Sequence, residues 1–410
     1  MLIVWRRTKQ LLTVLLLVLL PSLAVGEIGP ALTGLTGSAT DATAAFYSPA
    51  GITRLDRPEL VVQTIFAYTD SKFSVDDATY AGGNGDSDQS LAVIPGLFYS
   101  HPLPKRLHLG LSLSVPSGIG DDYGGSWSGR YLSKSSTLAF VAASAVLAYE
   151  VTDSLSLAAG PYLMYVDSVT KTRVNNLLPG HPDGSVKLEE DGTDFGYTLG
   201  GMYQFTDSSR IGVTYRSELK PDLEGTPTFS GLDPLLREAL AAHDLLGTQV
   251  DVDFTVPQQL QVGFYTEFSD KWSMTGDLIW IDMSEFGITH INVEQDGIAV
   301  APQFQDMVMV NAGLKYHYGK DRAISVGALY SSSPVKDSKR VLGMPVDRII
   351  GGGVGLDLPV LDYLCHLNLN YFDLGDGDIS HTGGPLTGDL EGSFDRNFAV
   401  MFDIQFRKLF

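Results

Sequence analysis

The 410-residue chain has one cysteine, Cys365, so no disulfide can form within it. Cys365 stands in an alternating segment, where a thiol behaves as a small buried or lipid-facing residue rather than as a nucleophile. Basic residues are scarce as well: 28 Lys+Arg face 48 Asp+Glu, a net charge of -20 that argues against nucleic acid as a partner. The one long apolar run, Leu11 to Leu20, is about half the roughly 20 residues that cross a bilayer as a helix. Catalytic motifs are missing too. The eight histidines are scattered, and there is no His-Glu-x-x-His helix, no phosphate-cradling glycine loop with its lysine and no Gly-x-Ser-x-Gly elbow. The run Asp373-Leu374-Gly375-Asp376-Gly377-Asp378 lacks the spacing and closing glutamate of a calcium loop and reads as a solvated acidic turn. The chain is therefore not expected to be an enzyme or to hold a metal or cofactor.

What is present begins with a leader. Arg6, Arg7 and Lys9 precede the apolar run, and Ala24-Val25-Gly26 follows Pro21, the pattern of a secretory signal peptide, residues 1–26, cut after Gly26. Its loss removes three basic and no acidic residues and takes the net charge to about -23. On an exported barrel that acidity fits long outer loops beside the divalent cations of lipopolysaccharide. A hydrophobic content of 44% with 44 glycines and 10% aromatics also suits a membrane barrel, whose strands need only alternate apolar residues and whose aromatics form interfacial girdles.

The end of the chain carries the sharpest pattern. Phe398, Val400, Phe402, Ile404 and Phe406 alternate with Ala399, Met401, Asp403, Gln405 and Arg407, and Phe410 follows as a terminal aromatic. A period of two means a strand with one apolar face, as in a closing strand of an outer-membrane barrel. Fourteen such segments can be drawn from residue 59 onward, the first near 59–70 and the last near 394–410. Short linkers such as Pro104-Lys105-Arg106, Asp153-Ser154 and Gly319-Lys320-Asp321 interleave with long ones, as periplasmic turns interleave with outer loops. The expected fold is all-β: a transmembrane antiparallel barrel of about fourteen strands over residues 57–410.

Most of these strands have a polar inner face, but three do not. Leu91 to Tyr99, Leu138 to Tyr149 and Leu157 to Val166 are apolar or small on both faces, so their inner side must meet either a packed plug or an apolar ligand channel, or both. In the long connection from Pro221 to Gln249, Leu232, Leu235, Leu236 and Leu240 recur at helical spacing. They predict a short amphipathic helix near residues 232–246 that either seals the barrel mouth or offers a first capture surface for an apolar ligand.

The stretch Asp41-Ala42-Thr43-Ala44-Ala45-Phe46-Tyr47-Ser48-Pro49-Ala50-Gly51 resembles the N-terminal hatch of the long-chain fatty acid and aromatic hydrocarbon transporter family of Gram-negative outer membranes, with Ser48 where that family usually has Asn. Trp127-Ser128-Gly129-Arg130-Tyr131, Tyr215-Arg216-Ser217, Pro257 and Ser333-Pro334-Val335 follow in family order. The resemblance implies a hatch at residues 27–56, a kinked third strand and lateral passage of hydrophobic molecules through the wall. It puts the candidate kink in Leu107 to Pro116, with Gly110 and Pro116 as its residues, although an ordinary small strand residue and a strand terminator are the plainer readings of the two; the pattern of the terminal strand itself marks Phe410 as an assembly signal for the barrel-assembly machinery. The expected partners are a hydrophobic small molecule, outer-membrane lipid and lipopolysaccharide, with the chain acting as a monomer. A neutral Gln305, where some fatty acid carriers have a basic residue, tilts the ligand toward uncharged molecules, though Lys315, Arg216 or Arg130 remain candidates to meet a carboxylate. A general porin, a surface adhesin barrel and an outer-membrane lipid hydrolase, which would need a Ser and a His paired on neighbouring strands, stay open as alternatives.

Overall fold

The alternating segments build a wall whose first and last strands meet. The computed structural model describes residues 29–410 apart from 88–89, 177–179, 243–244, 294–295 and 301–302; the expected leader lies outside the described residues. Fourteen wall strands follow in chain order: β1 (Glu59–Ala78), β2 (Ser90–Leu103), β3 (Leu107–Asp122), β4 (Ser135–Glu150), β5 (Leu155–Val174), β6 (Gly184–Thr206) and β7 (Ser209–Arg216) form the first half. β8 (Gln259–Ser269), β9 (Trp272–Ile281), β10 (Met307–Gly319), β11 (Arg322–Ser331), β12 (Ile349–Val360), β13 (Tyr363–Asp373) and β14 (Leu390–Leu409) complete it. Each pairs antiparallel with its neighbours, and β14 pairs with β1 from Glu59↔Leu409 to Ala78↔Leu390, which closes the barrel. In hydrocarbon a backbone N–H has no water to turn to, so this closure is a condition of the fold.

All fourteen expected segments are strands, but four of them break where the pattern runs on. The segments expected near 209–224, 249–268, 271–292 and 363–380 each split: Asp222–Gly225, Val250–Thr255 and Gly287–Val293 pair with one another beyond the long-loop end of the wall, and Asp378–His381 pairs with β14. Pro221 and Pro257 stand at two of the breaks, where a missing N–H ends a ladder. The predicted helix is also shorter than drawn: it runs Pro234–Ala241, started by Asp233, whose carboxylate accepts the N–H of Leu235 at 3.0 Å.

Alternation sorts the faces as expected. Val308, Val310 and Leu314 of β10 are exposed, while Met307, Met309 and Asn311 are buried inside. On β14, Phe402 and Phe406 face outward and Met401, Asp403 and Gln405 inward. On β6 the outward apolar band runs from Phe195 to Phe205, and above it Glu189 and Asp191 take over the outer face. The upper part of β6 therefore stands clear of lipid.

Residues 29–55 lie inside the wall near its short-turn end, as two 3-10 turns, Pro30–Leu32 and Pro49–Arg54, and one helical turn, α1 (Ala44–Tyr47). Side-chain-free positions on the wall let this segment sit directly on the backbone. Gly313, Gly327 and Gly353 are cross-strand partners in a row, and a Cβ on Gly327 would fall 2.2 Å from the Pro30 carbonyl oxygen. On the other flank a Cβ on Gly212 would fall 2.3 Å from the Thr36 carbonyl oxygen. Glycine at such a place is a requirement of close approach rather than of backbone angle.

A Gly327→Val substitution is expected to leave the wall paired and to displace residues 30–33, costing roughly 1–3 kcal/mol of local stability by overpacking. Hydrogen exchange resolved along the chain measures it: protection should fall in residues 30–36 and persist in β11 and β12. Unchanged protection in the segment would disprove the contact.

Candidate functional site

The inner segment is held by side chains that rise from the wall to meet its backbone. Asp277 on β9 accepts the N–H groups of Gly34 at 2.9 Å, Leu35 at 3.2 Å and Thr36 at 2.9 Å. Asn311 on β10 donates to the Leu32 carbonyl at 2.8 Å, and Asn370 on β13 accepts the Ala31 N–H at 2.7 Å. Opposite them, Arg210 donates to the carbonyls of Gly37 and Ser38, Thr214 to that of Tyr47, and Arg216 to that of Phe46. Glu59 on β1 accepts the Ala42 N–H at 2.6 Å while Arg407 of β14 donates to its second oxygen at 2.7 Å. An irregular chain buried from water needs each of these groups, since its own turns leave them unmet.

The three strands without a polar inner face divide by height. Toward the short turns, Val146, Ala148 and Ala158 pack against Ala44, Ala45, Ala50 and Ile52 of the inner segment. Farther up, Leu138, Phe140, Ala142, Met164 and Val166 line an apolar interior above that segment. These faces thus meet the inner segment below and an apolar cluster above it. Phe46 and Tyr47 form the floor of the apolar interior, with the Arg216 guanidinium 3.9 Å above the Phe46 ring. A train of rings crosses it: Phe140 to Phe254 at 6.3 Å, Phe254 to Phe286 at 5.5 Å and Phe286 to Phe304 at 5.3 Å. Met283, Met307, Met309 and Met344 fill the gaps with flexible, polarisable side chains that repack at low cost.

One side of this interior has an incomplete wall. The ladder between β2 and β3 stops at Leu97↔Leu113, and among the described residues β2 from Ile94 toward Leu91 pairs only with β1. β3 continues alone on that side, and its pairing with β4 slips by one residue between Ser114 and Ser117, a bulge holding Val115 and Pro116. Pro116 therefore sits where the strand leaves its neighbour. Gly110 does not: it pairs regularly with Ser100 and Val146, and a Cβ there would meet Ala45 Cβ at 2.9 Å. Its glycine serves contact with the inner segment, which corrects its assignment to the kink.

The remaining predicted residues fall into three groups. Asp41 accepts its own Thr43 N–H at 2.9 Å, and Ser48 donates to the Thr36 carbonyl at 2.7 Å, tying the two halves of the segment together. Pro49 and Ala50 rest on Gly200, and Gly51 is forced by Ala39, whose Cβ a side chain would meet at 2.3 Å. Leu232, Leu235, Leu236 and Leu240 do not form one capture face: Leu240 is buried, Leu235 points out, and Leu232 precedes the helix against Gly184. Phe410 is exposed, its N–H donating to the Pro58 carbonyl at 3.0 Å.

Basic side chains considered for a carboxylate are already engaged. Lys315 pairs with Asp357 at 2.9 Å and Arg130 with Asp183 at 2.8 Å, while Arg216 is committed to Phe46. Burial and the Asp183 carboxylate push the Tyr131 phenol up to about 12, so it stays a donor to Asp183 in the outer loop. Gln305 spends its amide on the Ser333 carbonyl at 3.1 Å. Below the inner segment a separate cavity of about 260 Å³ is lined by the polar Asp41, Lys315, His317, Asp357 and His366 together with the apolar Leu314, Leu358 and Leu364.

An outer face made for lipid and an interior made for apolar contact define an outer-membrane barrel protein. The model of the family described as Outer membrane protein transport protein (OMPP1/FadL/TodX) matches residues 18–356, and the chain belongs to that family. A Long-chain fatty acid transport protein of Escherichia coli O6:H1 is 22% identical over 347 residues, covering 78% of each chain. Among solved structures, a Pseudomonas aeruginosa FadL homologue superposes with a TM-score of 0.83 at 17% identity, covering 94% of this chain and 100% of that one. The toluene transporter TodX of P. putida gives 0.67 at 18% identity, covering 92% and 98%. These likenesses establish the fold.

Apart from Arg216, which the sequence offered as a carboxylate partner, the wall residues that hold the inner segment were not singled out in the sequence. An acid in mid-strand, Asp277 within Trp272-Ser273-Met274-Thr275-Gly276-Asp277-Leu278-Ile279, was the available signal. Asp277→Ala should loosen residues 34–36 by about 3 kcal/mol or more, given three hydrogen bonds to a charged acceptor. Amide exchange at those three positions is the measurement, and exchange as slow as in the parent would refute the assignment.

Proposed function

We propose that this protein carries hydrophobic small molecules, long-chain fatty acids or aromatic and aliphatic hydrocarbons, across the outer membrane, binding them in the apolar interior and releasing them sideways into the bilayer. The observation that carries this is the β2–β3 breach, which opens the wall beside Phe98, Phe140 and Ala142 while the floor beneath stays packed. An apolar solute moving from that interior into hydrocarbon never meets water, whereas the cavity below is lined in part by the ion-paired Lys315 and Asp357. Residues 29–55 act as the hatch, and their tethers hold the floor shut during passage. Long-chain fatty acids and toluene are the ligands named for the relatives, and both suit an interior of rings and methionines. The protein works as a monomer without catalysis, reaches the membrane through the barrel-assembly machinery by way of its terminal strand and Phe410, and meets lipopolysaccharide with its acidic loops.

Two measurements test this reading. Deleting Pro116 removes the extra residue of the bulge, so β3 should pair with β2 beyond Leu113 and uptake of dilute hydrophobic substrate should slow several-fold with the barrel intact. Uptake at the parent rate would refute lateral release. Planar-bilayer recording separates a hydrophobic carrier from a general porin: the closed floor calls for negligible steady conductance, and a large constant ion current would overturn the hatch assignment.

A further inference from the structure

β2 carries two prolines, Pro95 and Pro102, and both lie within its ladders. An antiparallel ladder turns the N–H and C=O of successive residues to alternate sides, so each residue faces one neighbouring strand. β1 pairs with β2 without a break from Glu59↔Ser100 to Thr69↔Ser90 and passes through Thr64↔Pro95. A residue with no N–H cannot exchange bonds with Thr64, so the Pro95 nitrogen faces away from β1 and toward β3. Leu97 shares that side, which makes Leu97↔Leu113 a pair that exchanges bonds. By the same alternation Pro102 faces the other side, beyond Glu59↔Ser100, where β1 has not begun. Both prolines thus put their missing donor on an unpaired edge, the place where a strand tolerates one.

The edge at Pro95 is the lower rim of the breach. Continued past Leu97↔Leu113, the β2–β3 ladder would set Gly96 opposite Ser114 and then Pro95 opposite Val115, the next pair due to exchange bonds. Pro95 has no donor for the Val115 carbonyl, so that rung cannot form in full. Pro116 works from the other flank: its bulge lies in the β3–β4 ladder, between Ser114 and Ser117. The height of the rim is matched to the hatch. Phe98, next to Leu97, is buried with its ring centroid 6.1 Å from that of Tyr47, which with Phe46 forms the floor of the apolar interior. The wall therefore opens where the floor ends, and one further rung would raise the rim by about 7 Å.

Resting on the lateral release proposed above, we infer that Pro95 is a positioning residue for that step: by withholding one backbone donor it keeps the rim level with the hatch floor, so that a bound molecule reaches the opening with no ledge to cross. The Pro95 ring lies exposed on the outer face, so its action is on the strand edge and not on the ligand.

Pro95→Val restores the donor and keeps an apolar, strand-favouring side chain toward lipid. In the full-length barrel in nanodiscs, exchange of the Val115 amide should slow roughly tenfold against the parent, the worth of one net hydrogen bond. Cells that carry the variant in place of the parent should take up dilute oleate and toluene several-fold more slowly, while the purified variant binds both with the parent's affinity. A residue that merely holds the barrel together would change affinity and rate alike. Pro95→Ala, which restores the donor with a smaller side chain, should repeat the result, and Pro102→Val, on the edge away from the breach, should change neither uptake nor exchange at Val115. Folding of each variant is checked by heat-modifiable gel mobility. Unchanged exchange at Val115, or slowed exchange with uptake at the parent rate, overturns the inference. The Pro116 deletion separates the two readings: if it slows uptake and Pro95→Val does not, lateral release stands and the role of Pro95 falls, and if neither slows uptake, both fall.

Discussion

Every feature of this molecule depends on the rule that a backbone polar group inside hydrocarbon must find its partner within the protein. Closure of β14 on β1 over nineteen residue pairs satisfies it for the wall. The same rule governs the inner segment, which has almost no regular structure and is buried all the same. Its carbonyls and N–H groups are met by Asp277, Asn311, Asn370, Arg210, Arg216 and Glu59, one wall residue for nearly every turn of the chain. The polar residues of the lumen are therefore structural partners as much as they are a hydrophilic lining.

That rule also gives the break between β2 and β3 its meaning. A ladder that stops at Leu97↔Leu113 leaves edge groups of both strands to be accommodated, and a sequence under pressure for stability alone would continue the pairing. The bulge at Val115 and Pro116 prevents it by removing one donor and shifting the register. Beside the break lies an interior of aromatic rings and methionines, and beneath it a floor fixed by ionic hydrogen bonds. A soft compartment with one open side on a rigid base has one favourable direction for an apolar occupant.

Much of the wall was legible in the sequence because alternation is a local property. Fourteen strands, the orientation of β10 and β14, and the apolar inner faces of β4 and β5 all follow from period two. The splits at Pro221 and Pro257 were visible as residues but not as breaks, since the flanking segments kept alternating. Gly110 was misread for a related reason: a glycine in a strand signals either a bend or a close neighbour, and only the packed Ala45 and Ile52 decide between them. The helix leucines failed as a face because the helix starts at Pro234, which leaves Leu232 outside its spiral. The tethers were least legible of all, since Asp277 meets Gly34 to Thr36 across more than two hundred residues of sequence.

The meeting of Glu59, Ala42 and Arg407 couples events that are separate along the chain. Glu59 opens the first strand, Arg407 belongs to the last, and Ala42 to the segment that precedes both. A slip of one residue in the final seam would turn Arg407 to the lipid side and leave the Glu59 carboxylate buried without its cation. A correct seam with the segment out of place would leave that carboxylate short of the Ala42 N–H. The ion pair thus acts as a checksum on the whole structure, satisfied only when the barrel has closed in register and the inner segment is seated.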